Sequence, residues 1–178
     1  MSADRAACIA APSPWIVHWA PLVRAGGSVL DLACGSGRHL RYFLGKAHPV
    51  VGIDRDVAAL ADLEGNPSVE IVRADLEDGS PWPLPDRRFA GIVVANYLHR
   101  PLFLSLIEAL EPGGALLYET FAVGNEKYGK PSNPDFLLRA GELLERTRGL
   151  RVVAYEAVEE ETPRRAVVQR IAAVRPEE

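Results

Sequence analysis

Two cysteines, one methionine and an aromatic content of 7% are thin provisions for a chain of 178 residues. Cys8 and Cys34 cannot build the disulfide framework of a small secreted domain, so a reducing, cytoplasmic setting is expected. His18, His39, His48 and His99 are scattered without HExxH or CxxC spacing, so no metal site is expected. Basic runs are equally scarce. Arg87–Arg88 and Arg164–Arg165 are the longest, and 20 Lys+Arg against 24 Asp+Glu leave a net charge of −4. A protein that holds nucleic acid through its phosphates carries a basic stripe, and none is visible. One stretch, Ala6 to Val23, lacks any Asp, Glu, Lys or Arg and is long enough to raise the question of a membrane span or signal peptide. Pro12, Pro14 and Pro21 would break such a helix, and Asp4 stands where a signal would be basic. The stretch reads instead as an apolar flap over residues 1–24 that docks on a single domain, 25–178, with Trp15 and Trp19 on one helical face. It is one candidate for a wall of the ligand site.

What is present alternates between two periodicities. Short apolar runs at Ser28–Ala33 and Pro49–Asp54 read as strands buried on both faces, and Ser68–Arg73, Phe89–Ala95 and Ala115–Phe121 read as three further strands. Between them, helical spacing appears at 37–45, 56–65 and 101–110, and again from Pro134–Asp135 through Phe136, Leu137, Leu138, Leu143 and Leu144. Gly141 would be a mild fault inside that last helix, costing about 1 kcal/mol against Ala. Leu150–Val158 and Val167–Val174 leave no room for a helix and should pair as a hairpin. The expectation is an α/β fold, a doubly wound, Rossmann-like, mostly parallel seven-stranded sheet with a C-terminal antiparallel hairpin. Ligands of such sheets bind beyond the carboxyl ends of the strands, where strand order reverses.

The first strand ends in Asp31-Leu-Ala-Cys-Gly-Ser-Gly37. Glycines at 35 and 37 permit a sharp turn and a close approach to a helix N-terminus. The dinucleotide fingerprint wants a third glycine where this chain has Leu40, and an acid inside the strand, Asp31, would repel a pyrophosphate and attract an ammonium group. The loop resembles motif I of the class I S-adenosylmethionine-dependent methyltransferases. The likeness continues in order through Val51-Gly-Ile-Asp54, Ala74-Asp75-Leu76-Glu77, Pro81–Phe89 and Leu110-Glu-Pro-Gly-Gly114. It implies S-adenosyl-L-methionine as cofactor. Gly35 and Gly37 would line its methionine and ribose, with Asp31 near the amino group. Asp54 would accept from the ribose hydroxyls and Asp75 from the adenine amino group. The Leu76 amide would meet the ring, and the Asn96 carbonyl the ammonium.

The acceptor side is less legible. Asn96-Tyr-Leu-His-Arg100 is not the Asn-Pro-Pro-Tyr motif of base and glutamine N-methyltransferases, which counts further against nucleic acid. His99 is a candidate base, and Tyr97 a candidate wall or stacking partner. Arg100 is a candidate anchor for an anionic acceptor, and Glu119 at the end of the fifth strand a candidate orienting acid or base. Tyr128, Lys130 and Asn133 are candidate contacts on the long 123–134 loop. The expected reaction is in-line methyl transfer to a small-molecule acceptor. Open alternatives are a protein or RNA acceptor reached with a partner, and a non-catalytic cofactor-binding partner. The chain is also similar in size to methyltransferases of the tellurite- and thiopurine-detoxifying type.

Overall fold

Strands without polar alternation are covered on both faces, and the computed structural model, which describes residues 9–162 and 164–177, bears this out for the first, second, fourth and fifth strands, while the third, with Glu70 and Arg73 exposed, lies at the edge of the sheet. The strands are β1 (Val29–Leu32), β2 (Val50–Asp54), β3 (Val69–Arg73), β4 (Phe89–Ala95), β5 (Leu110–Phe121), β6 (Arg151–Glu160) and β7 (Ala166–Val174). They form one seven-stranded sheet in the order β3-β2-β1-β4-β5-β7-β6. β1 to β5 are parallel, and β7 runs antiparallel between β5 and β6. Every residue of β1 is buried, as is all of β4 up to Val94. Order reverses between β1 and β4, so the crevice opens there.

The helices are α1 (Pro14–Trp19), α2 (Arg38–Leu44), α3 (Phe103–Glu108) and α4 (Glu142–Arg146). Leu30, Ile53, Ile92 and Leu116 pack beneath α3 and α4 through Phe103, Leu106 and Leu143. Val29, Val50, Val93 and Leu117 pack beneath α1 and α2 through Trp15, Ile16, Leu40 and Phe43. The N-terminal segment is thus part of a core layer. Ser13 caps α1 by accepting from the Ile16 amide, and Pro14 occupies the first turn, where a missing N–H costs nothing. The Trp15 indole N–H reaches the Ile171 carbonyl at 3.5 Å. No helix among the described residues is long and apolar enough to cross a membrane. The first eight residues of the expected flap, Cys8 included, lie outside the described residues.

Two expected helices differ. The 56–65 segment begins with an Asx turn, the Ala58 amide donating to Asp56, and then winds as a 3-10 helix over Ala58–Leu63. Val57, Leu60 and Leu63 recur every three residues, which is the 3-10 period. The second, expected from Pro134, is broken into a 3-10 turn, Pro134–Phe136, and a short helix, Glu142–Arg146. Leu137 and Leu138 between them are drawn out beside the sheet: Leu138 donates to the Phe121 carbonyl and accepts from the Val123 amide. Gly141, at φ +71°, is the residue that lets the chain turn into α4, so it stands outside the helix as its N-cap.

Candidate active site

The loop leaving β1 is shaped by left-handed residues at alternate positions: Ala33 (φ +52°), Gly35 (φ +53°) and Gly37 (φ +73°). Gly35 faces open space, whereas a Cβ on Gly37 would lie 2.5 Å from Leu60. One glycine therefore leaves room for a ligand and the other for the neighbouring turn. Asp31, 2% exposed, accepts from the Leu40 amide at 2.9 Å and so caps the first turn of α2. Burial raises its carboxyl to about 7, against the lowering effect of the Leu40 bond and Arg38. His39 in the same turn is held neutral by burial, its pKa lowered to about 4, and accepts from the Ser13 amide at 3.1 Å.

Asp54, ending β2, accepts from the Gly35 amide at 2.7 Å and the Asp56 amide at 3.0 Å. It therefore ties the glycine loop to the second strand while keeping lone pairs for further donors. Asp75 accepts from the Glu77 amide at 3.0 Å and is otherwise exposed. Asp54, Asp75, Leu76, Ala33 and Tyr97 line one cleft of about 360 Å³ with Arg55, Ala74, Glu77 and Phe136. A smaller chamber of about 180 Å³ adjoins it, sharing Glu77, Tyr97 and Phe136. Asn96 and the buried Thr120 belong to this chamber. Asn96 has φ +57°, and this sharp exit from β4 carries Tyr97 between the two cavities. The Tyr97 hydroxyl is buried without a hydrogen-bond partner. Burial, and then the Glu77, Asp75 and Asp54 carboxylates, raise its pKa, so it stays a phenol.

The remaining expected residues lie elsewhere. Arg100 was expected to hold an anion, but its guanidinium bonds both Glu142 oxygens (2.8 and 3.0 Å) and the Asp135 and Leu137 carbonyls (2.7 and 2.9 Å). It is a strut for the 134–142 segment. Glu119 pairs with Arg170 at 3.3 Å across the β5–β7 ladder and lines neither cavity. The Tyr128 hydroxyl donates to Glu159 at 2.6 Å beneath the Arg165 guanidinium, which pins it to the β6–β7 hairpin. Asn133 caps the Pro134–Phe136 turn. His99 and Lys130 line neither cavity, nor does any described residue of α1. Two residues that line both cavities were missed: Glu77, seen only as part of a motif, and Phe136, read as a core residue and in fact 44% exposed. An unpaired aromatic beside a proline-rich loop was the available signal for the second.

Residues 29–114 match the family model described as a methyltransferase domain. Over 100 residues the chain is 42% identical to a ribosomal protein L11 methyltransferase of Burkholderia cenocepacia, a match that covers 53% of this chain and 32% of that protein. Among solved structures it is similar to TehB from Haemophilus influenzae, with TM-score 0.72, 18% identity and coverage of 90% of this chain and 61% of that one. It is also similar to the glycopeptide N-methyltransferase MtfA complexed with S-adenosyl-L-homocysteine, with TM-score 0.65, 22% identity and coverage of 98% and 94%. At these identities the two structures establish the fold. The match over residues 29–114, these structures and the ordered motifs around the cleft together support a class I S-adenosylmethionine-dependent methyltransferase. The cleft suits that cofactor: it is open above Gly35, carries the Asp54 and Asp75 acceptors, and is bordered by more carboxylates than cations.

Proposed function

We propose that the protein methylates a small-molecule acceptor seated in the chamber beside the cofactor cleft. The supporting observation is the chamber itself, about 180 Å³, half the volume of the 360 Å³ cleft and joined to it across Tyr97, Glu77 and Phe136. S-adenosylmethionine supplies a methyl group already activated by a positive sulfur, so the protein has mainly to align and desolvate. Asp54 and Asp75 hold the nucleoside end, and Asp31 keeps the glycine loop and α2 in register. Tyr97 and Phe136 form the wall at which the two cavities meet, and Phe136 excludes water from it. No strong base is required for this chemistry, and neither His99 nor Glu119 lines the chamber.

A thermal shift with S-adenosylmethionine, S-adenosylhomocysteine and NADH, each at about 100 times its dissociation constant, tests the cofactor assignment. Linkage gives about 2.7 kcal/mol for a true ligand, a rise on the order of 5–10 °C at this chain length. The first two should raise the melting temperature and Asp54→Ala should abolish the effect; a rise with NADH alone overturns the assignment. A second reading has one observation behind it, the relative named for ribosomal protein L11. Methylation of a ribosomal protein fraction, with none of small amines, alcohols or thiols, would favour that reading.

A further inference from the structure

Resting on the methyl-transfer reading, we infer that the acceptor is an amine on a compact apolar body, selected by Glu77. Among the described residues that line the chamber, Glu77 alone carries a formal charge, and it forms no ion pair with any described residue. Leu98, Phe121, Pro131 and Phe136 supply the apolar part of the wall, and Asn96, Thr120 and Tyr97 its uncharged polar groups. An unpaired carboxylate at the mouth of a chamber without cations favours a cation and rejects an anion, more so with Asp54 and Asp75 in the adjoining cleft. The buried Tyr97 hydroxyl, held as a phenol beside the Glu77 carboxylate, adds a second polar group where the two cavities meet.

The same inventory argues against an alcohol acceptor. Its hydroxyl is too weak an acid for a carboxylate to deprotonate, and no stronger base lines the chamber. An amine needs less. The bound ammonium gives one proton to Glu77, which faces solvent and passes it on. The nitrogen lone pair then forms the N–C bond as the C–S bond breaks with its electron pair remaining on sulfur. The products are the methylated ammonium and the neutral thioether S-adenosylhomocysteine.

Benzylamine, benzyl alcohol and benzoate share one shape and differ in charge, which makes them suitable probes. Each is titrated calorimetrically at pH 7 into the protein saturated with S-adenosylhomocysteine, for wild type and Glu77→Gln. Benzylamine should bind at least about tenfold tighter than benzyl alcohol, and benzoate least. Glu77→Gln should weaken benzylamine about tenfold and leave benzyl alcohol unchanged. Equal binding of the three, no binding of any, or an unchanged benzylamine affinity in the variant overturns the inference. Saturation with S-adenosylhomocysteine is verified first by thermal shift, so its failure counts against the cofactor assignment and a failure of the amine alone counts against Glu77. Glu77 is exposed, and only its amide is tied down, to Asp75, so the variant should fold normally.

Discussion

Asp31 and His39 are buried on either side of the same helix start, and each titrates against its ordinary direction. Asp31 is raised from 3.8 to about 7 by burial, so between those values the folded state holds a proton that the unfolded state has lost. Its contribution to stability is complete below about 4 and is lost as pH rises toward 7. His39 is lowered from 6.5 to about 4, so its contribution is complete above 6.5 and is lost as pH falls toward 4. Over the shared window the two slopes oppose each other, one proton against one, and nearly cancel. Asp31→Asn should therefore expose the His39 slope, with unfolding free energy in urea falling by about 1.4 kcal/mol per pH unit as pH drops from 6.5 to 4. His39→Gln should expose the opposite slope. Single variants with the wild-type pH dependence would show that neither group titrates as its burial requires.

At the scale of the element, the segment that carries Phe136 is held by ion pairing. Glu142, 1% exposed, meets the Arg100, Arg139 and Arg146 guanidiniums. Burial alone would raise its carboxyl, but the bonds from Arg100 and from the Arg139 amide outweigh it and hold the pKa down to about 2. The three guanidiniums reach solvent, so removing Glu142 costs its hydrogen bonds more than it strands a buried charge. Glu142→Ala should cost about 1–3 kcal/mol in urea unfolding, and should raise the KM for the acceptor more than it lowers kcat, because Phe136 loses its anchored chain. A variant with normal stability and an unchanged KM would show that the segment is held by its apolar contacts alone. Here the sequence misleads for a physical reason. Phe136, Leu137 and Leu138 read equally as a helical face or a strand edge, and Arg100, distant in sequence, bonds the Asp135 and Leu137 carbonyls, which a continuous helix would use for its own hydrogen bonds.

For the whole molecule, the sheet needs a layer on each face, and α1 supplies part of one. Ile16 is fully buried against the α2 side of the sheet, within the same cluster as Val93 and Leu117. Ile16→Ala should cost about 2–5 kcal/mol, with unfolding still a single transition monitored by tryptophan fluorescence and circular dichroism. A small early tryptophan transition that leaves the sheet intact would mean instead that the N-terminal segment detaches on its own.

The sequence by itself determined the seven strands, their mostly parallel arrangement and the C-terminal hairpin, and it marked the loops at the strand ends. Those features rest on local periodicity and on short motifs, where a handful of adjacent residues make the turn; the strand order came from packing. Asp31, Gly35, Gly37, Asp54 and Asp75 are legible as turn-forming and capping residues for that reason. The acceptor end was decided only by tertiary structure. Arg100, Glu119, Tyr128 and Asn133 carry suitable chemistry, but each is engaged by a partner in or beyond its own segment. Glu77 and Phe136 meet across a chamber that exists only because the 134–142 segment is strapped over the sheet. A side chain's role there depends on which partners reach it first, and that competition is settled by packing between elements far apart in the chain.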